Sequence, residues 1–482
     1  MTLDSESLDR RTFIKTAGVG ALVGARALHG VWGFPAPVTR APEIVVIGAG
    51  AFGGWTALHL RQMGASVTLL DAYGPGNSRA TSGDESRGIR SSYAERELWV
   101  RLASQAIAKW KEWDAEWAKP FRMQLFFHTG DLILRAEATD RFIVNNRASW
   151  DKLGIPYEVL TIDEVRRRWP HVNCDGMSAA LFETGAGVAR ARRSCEVVAE
   201  AFRQKGGKIV IARASLGRSA GGRLSHVTLD SGETLGADRF VFACGPWLPK
   251  VLPDVMTDRL RTPLGRVIYF GTPPGDRRFL FPNLPSFNFP GVTGWPGLGP
   301  DNRGFRVRGG GGGQGGRGGQ EAQGDQSGQV SGGGQANPQR AAPSQADSVP
   351  PGPPRAPVDP SQLDPDLSSR WVPPEAHEGP RRFLAERFPD LKDAPILATH
   401  ACHYESSVDR NPIVDHCPGL DNVWIAGGGS AEGFKLGPVI GEYVARRVLN
   451  KQTDPELDAT FKLKEEKFDP LVTRPGDSDG EI

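Results

Sequence analysis

Residues 43–71 read EIVVIGAGAFGGWTALHLRQMGASVTLLD, and few stretches restrict a fold so tightly. An apolar run, residues 44–47, leads into Gly48, Gly50 and Gly53 in G-x-G-x-x-G spacing. A helix-like segment follows, then a second apolar run, residues 67–70, that ends on Asp71. In a strand–turn–helix unit Gly48 permits the tight turn, Gly50 lets backbone approach a pyrophosphate, and Gly53 lets helix and strand pack closely. The amino end of the helix then offers free N–H groups to the phosphates. Asp71 falls where a carboxylate accepts hydrogen bonds from a ribose diol. Strand, glycines, helix, strand and acid in this order imply a dinucleotide-binding unit. They do not choose between FAD and NAD(P).

At 482 residues the chain is long enough for two or three folding units. Lys+Arg 58 against Asp+Glu 56 leaves a net charge of +2, which implies no nucleic-acid partner. Cys174, Cys195, Cys244, Cys402 and Cys417 are too few and too scattered for a disulfide framework, and none forms a C-x-x-C metal pair. No apolar run is long enough to span a bilayer, so no stable membrane insertion is expected. Arg10-Arg11-Thr12-Phe13-Ile14-Lys15, followed by small residues over 17–27, resembles a twin-arginine export signal. That implies the export machinery as a partner and a periplasmic location, with Ala25-Arg26-Ala27 as a plausible cleavage site.

Downstream, helices and strands alternate. The pattern predicts helices over 95–117, 191–204 and 438–449, and strands over 130–134, 208–212, 239–244, 400–405 and 423–426. Residues 309–355 break the pattern, being almost all Gly, Gln, Ser, Ala and Pro with a few charges. Such a composition cannot bury enough apolar surface to offset its ordering entropy, so this stretch is expected to be a disordered insertion.

Residues 43–71, 77–93 (NSRATSGDESRGIRSSY), 243–247, 401–415 and 427–438 (GGGSAEGFKLGP) occur in an informative order. Together they resemble the amine-oxidising flavoproteins related to monomeric sarcosine oxidase, N-methyltryptophan oxidase and the fructosyl-amino-acid oxidases. The resemblance implies FAD rather than NAD. It also implies an α/β fold: a FAD-binding Rossmann-type parallel-sheet domain plus an antiparallel-sheet substrate domain. The expected FAD-binding domain is discontinuous, over 41–125, 184–260 and 409–455. The substrate domain would take 126–183 and 261–408, and 456–482 a C-terminal tail; residues 1–40 carry the signal and a linker.

The resemblance further assigns roles. Arg90 and Lys435 match the positions that grip a substrate carboxylate, and Arg87 the arginine packed against the flavin ring. Cys402 aligns with the cysteine that binds the flavin covalently, with a small buried apolar role as its alternative. Tyr404, two residues on, either lines the substrate pocket or packs. Gly433 and Phe434 adjoin Lys435 where backbone is expected to approach the flavin, and Cys244 is expected to pack beside the cofactor. Ser82 stands where the family often has histidine, Ala431-Glu432 replaces Gly-His of G-H-G-F-K, and Arg306 replaces the lysine that promotes reaction of reduced flavin with oxygen. The implied activity is oxidation of the C–N bond of a secondary amine or N-substituted amino acid, with O2 or another electron acceptor. No metal is implied.

Overall fold

Glu43–Ile47 is a strand, Ala51–Gln62 a helix and Ser66–Asp71 a second strand, the two strands parallel with Ile47 opposite Leu70. The fingerprint thus folds as its glycines require. It lies in a computed structural model that describes residues 40–299, 303–310 and 360–468; from Ala41 on the chain groups as one unit. The expected export signal, the expected insertion beyond Gly310 and most of the tail beyond residue 468 fall outside the described residues. Gly309, where the insertion was expected to begin, is the last residue of the strand Phe305–Gly309.

The six-stranded sheet runs Ile413–Cys417, Leu420–Gly427, Arg239–Phe242, Glu43–Ile47, Ser66–Asp71, Lys208–Ile211. All neighbours are parallel except the edge strand Ile413–Cys417. Its central strands are apolar runs buried on both faces, as a parallel sheet covered by helices demands. The second large sheet has eight strands in the order Ile396–His403, Leu264–Phe270, Phe305–Gly309, Val292–Trp295, Ser286–Phe289, Asp131–Arg135, Ala179–Glu183, Glu158–Leu160. It is antiparallel apart from one parallel pair, Ser286–Phe289 with Asp131–Arg135. A three-stranded sheet, Ser86–Ile89, Gly187–Arg190 and Phe126–Phe127, completes the frame around the site.

Three of the helices stacked over one face of the parallel sheet position the site. Glu97–Phe121 buries Trp110, Trp113 and Trp117, which fall on one helical stripe. Trp55 of the fingerprint helix meets Trp113 with ring centroids 4.7 Å apart and Trp110 at 5.9 Å, edge to face. The third helix is Gly433–Val448. It begins five residues before the expected start at 438, and Pro438 lies inside it. Its glycines explain the difference. Gly433, Gly437 and Gly441 recur every fourth residue and form a groove for the fingerprint helix. A Cβ on Gly437 would stand 2.8 Å from Trp55 Cδ1, and one on Gly441 2.7 Å from the Trp55 backbone carbon. Gly437, outside the expected helix, and Gly441, inside it, both serve helix–helix contact.

Because the atoms facing Gly441 are Trp55 Cβ, which no side-chain rotation moves, and backbone, neither helix can yield by turning a side chain. Gly441→Ala is therefore expected to destabilise the protein by about 1–3 kcal/mol, although alanine favours helix by about 1 kcal/mol. A thermal melt showing an unchanged or raised midpoint would contradict this packing.

Candidate active site

The fingerprint opens onto a cavity of about 1090 Å³ lined by Gly48, Gly50, Asp71, Ser82, Cys244, Gly433 and Phe434, among others. A Cβ on Gly48 would stand 2.2 Å from the Ala243 carbonyl oxygen, and one on Gly53 1.8 Å from that of Gly48. Only glycine fits at either position. A Cβ on Gly50 would meet nothing nearer than Ser82 Oγ at 3.6 Å, so backbone there faces open space. Ser82 Oγ accepts the Ala51 N–H at 3.1 Å and steadies the start of the helix. The Asp71 carboxylate accepts from the backbone N–H groups of Ala49 (2.7 Å), Tyr73 (2.8 Å) and Gly74 (2.9 Å). Burial raises its pKa against those three bonds. Asp71 therefore braces the glycine loop while lining the cavity, a role its position alone did not reveal. The glycine cradle and the acid beside it fit a dinucleotide.

A second cavity, about 850 Å³, shares Thr81, Arg87 and Ala431 with the first. Arg87 bridges them. It donates to the Asp84 carboxylate, to the Thr81 carbonyl oxygen at 2.7 Å and to Cys402 Sγ at 3.4 Å. Burial pushes the Cys402 thiol up, but Arg87 and then His400 bring it below the ordinary thiol value. Asp84 is fully buried, and burial alone would raise its pKa. Arg87, His400, Arg306 and the Tyr269 hydroxyl together hold it well below the carboxylate range. Tyr269 donates to Asp84 Oδ1 at 2.8 Å, and Arg306 Nη2 lies 3.7 Å from Asp84 Oδ2. The Arg306 guanidinium carbon lies over the Trp295 ring, 3.9 Å from its centroid. Its Nε is buried without a hydrogen-bond partner among the described residues.

Arg90, Lys435 and Tyr404 also line this second cavity, so the structure brings together the residues expected to meet substrate. Trp110 Nε1 donates to the Lys435 carbonyl oxygen at 2.8 Å and fixes the start of the helix Gly433–Val448. Ser430 (φ 47°) and Ala431 (φ 63°) precede it in left-handed backbone, which costs non-glycine residues about 1–3 kcal/mol each. That turn aims Glu432 inward. The Glu432 carboxylate pairs with Lys435 Nζ, accepts from Tyr93 OH at 2.6 Å, and lies 3.5 Å from Arg90 Nη2. Burial lowers the Lys435 pKa to about 8; Glu432 opposes that fall and Arg90 adds to it. Burial would raise Glu432, yet Lys435 and Arg90 hold it well below the carboxylate range.

Several of these residues escaped the sequence reading. Asp84, Tyr93 and the pairing of Glu432 depend on contacts across the fold; Tyr93 and Glu432 are 339 residues apart. Arg308 also lines the second cavity, and its alternation with Arg306 along Phe305–Gly309 was a signal available in the sequence. Phe287 lines this cavity from the same aromatic core that holds Phe289. Asp366 ties together two residues that line the first cavity, accepting from Tyr73 OH at 2.9 Å and Trp247 Nε1 at 2.9 Å, and it also accepts from Lys250 Nζ at 2.6 Å. Among the described residues no cluster could hold a metal, and no helix is long and apolar enough to cross a membrane.

Beneath Arg90, Glu183 accepts from both Ser91 N–H and Ser91 Oγ at 2.7 Å, and burial pushes its pKa up to about 7 from 4.5. The folded state therefore holds this proton more tightly than the unfolded chain. The stability tied to it is full below pH 4.5 and is lost as pH rises to about 7. Glu183→Gln is expected to remove a fall of about 3 kcal/mol across that window. Denaturant melts of wild type and variant with parallel pH profiles would contradict it.

Monomeric sarcosine oxidase of Bacillus sp. (strain B-0618) is 23% identical over 429 residues, covering 86% of this chain and 94% of the relative. N-methyl-L-tryptophan oxidase of Salmonella arizonae is 25% identical over 432 residues, covering 87% and 98%. A modified fructosyl peptide oxidase from Aspergillus nidulans superposes with a TM-score of 0.69 at 17% identity, covering 91% of this chain and 97% of that one. Residues 43–447 match the FAD dependent oxidoreductase family, and the chain belongs to it.

Proposed function

We propose that this enzyme oxidises the C–N bond of a secondary amine or N-substituted amino acid to an imine, which water then hydrolyses, with O2 as acceptor giving H2O2. The observation that carries this reading is the meeting of a dinucleotide cavity with a cation-rich second cavity at Thr81, Arg87 and Ala431. FAD, when bound, supplies a two-electron acceptor for the substrate C–H bond and relays the electrons to the final acceptor.

The protein's own residues divide the remaining tasks. Gly48, Gly50, Gly53 and Asp71 hold the dinucleotide, with Ser82, Gly433 and Phe434 along its path. Arg87 places a fixed positive charge at the junction of the cavities and lowers the Cys402 thiol toward the thiolate that covalent attachment requires. Arg90 and Lys435 set the electrostatic character of the substrate end, and Tyr404 forms part of its wall. Arg306 keeps a positive charge where the resemblance places oxygen activation.

One observation favours a second reading, a dehydrogenase with a quinone or other periplasmic acceptor. Arg306 is tied to Asp84 and stacked on Trp295, so it lacks the freedom and the compact hydration of a lysine ammonium. The proposal extends to location: the Arg10-Arg11 motif supports twin-arginine export of the folded holoprotein to the periplasm. Replacing both arginines by lysine is expected to retain the protein in the cytoplasm, and unchanged export would refute it.

The catalytic test mixes flavin-loaded protein anaerobically with N-methyl amino acids and simple secondary amines. Loss of the flavin's visible absorbance, followed by peroxide on admitting air, is the expected result. Bleaching without peroxide selects the dehydrogenase, and no bleaching with any amine contradicts both readings in favour of a catalytically impaired flavoprotein. In the same preparations, acid precipitation is expected to leave the yellow colour in the pellet for wild type and release it from Cys402→Ala. Release from wild type would remove the covalent assignment.

A further inference from the structure

The charges of the second cavity do not balance evenly. Arg87 and Arg306 share the carboxylate of Asp84, and Arg90 and Lys435 share that of Glu432. Both Glu432 oxygens are engaged, one toward Arg90 and the other with Lys435 and Tyr93 OH. A substrate carboxylate approaching that pair would meet a buried carboxylate already there. Two carboxylates in one site repel unless one takes up a proton, and Glu432 is held well below the carboxylate range.

Arg308 is different. On the strand Phe305–Gly309 it shares a face with Arg306, while Phe305 and Val307 enter the core behind the sheet. Its side chain lines the cavity and has no acid or hydrogen-bond partner among the described residues. Gly265 leaves room beside it: a Cβ there would lie 3.8 Å from Arg308 Nη2 and 3.4 Å from the Tyr404 ring. A guanidinium fork beside a tyrosine ring, next to a position with no side chain, suits a carboxylate, since arginine binds one bidentately.

We propose that the anionic group of the ligand binds at Arg308 beside Tyr404, and that Glu432 withholds the Arg90–Lys435 pair from it. The inference rests on the amine-oxidising reading only in calling that ligand the substrate. The site then favours substrates whose carboxylate can reach Arg308, and Glu432 becomes a specificity-determining residue.

The test measures binding of succinate, a carboxylate with no oxidisable amine, to the flavin-loaded protein by calorimetry. Arg308→Gln is expected to weaken binding at least about tenfold, and Arg308→Lys, which keeps the charge without the fork, by less. Glu432→Gln is expected to tighten it about tenfold or more, and that gain should survive in the Glu432→Gln, Arg308→Gln double variant because Arg90 and Lys435 are released. Retained flavin colour and an unchanged circular dichroism spectrum confirm folding of each variant. The proposal is overturned by undetectable binding to wild type, by unchanged affinity in Arg308→Gln, or by Glu432→Gln failing to tighten it. This succinate pattern without amine-driven bleaching would leave the anion site standing and the amine reading refuted. Bleaching without the pattern would do the reverse.

Discussion

Buried charge needs a partner, and the site is organised around two carboxylates that each serve two cations. Asp84 ties Arg87, Arg306 and Tyr269 together, linking the segment after the fingerprint to the eight-stranded sheet. Glu432 ties Arg90, Lys435 and Tyr93, linking that segment to the helix Gly433–Val448. Removing either acid would leave two cations facing each other in a poorly solvated space, a cost of several kcal/mol in buried ion pairs generally. The same pairings set the chemistry: they keep Arg87 fixed beside Cys402, and Glu432 offsets part of the fall that burial imposes on the Lys435 pKa.

Backbone proximity is the second constraint. Gly48 and Gly53 let the fingerprint turn pass within contact of Ala243, and Gly437 and Gly441 let two helices meet at Trp55. The first pair shapes the dinucleotide cavity. The second holds the helix that carries Lys435, whose first turn is further fixed by Trp110. The strained turn at Ser430 and Ala431 is tolerated because both of its ends are anchored, Ser430 Oγ accepting the Ser407 N–H at 3.3 Å.

Much of this was legible in the chain. The fingerprint, the helix Ala191–Gln204 and the apolar central strands follow from local pattern, because glycine spacing and hydrophobic periodicity act over a few residues. The helix Gly433–Val448 was misread at its start because Gly-Phe-Lys-Leu-Gly has weak intrinsic helix preference, and only packing against the fingerprint helix reveals its purpose. Arg87, Arg90, Lys435, Cys402 and Tyr404 were identifiable as a set, and the structure gathers them around the second cavity. Their partners were not. Asp84 lies in the same motif as Arg87, yet its bonds to Tyr269 and Arg306 join strands far apart in sequence. Glu432 looked like a departure from a pattern; its meaning depends on where Tyr93 and Arg90 stand in space.

The most direct test of the account is a crystal structure of the flavin-loaded protein. The account requires the dinucleotide along Gly48, Gly50 and Asp71, with the flavin ring at the junction of the two cavities beside Arg87 and Cys402 and one face open toward Arg90, Lys435 and Arg308. A flavin ring bound away from that junction, or a dinucleotide outside the glycine cradle, would contradict it.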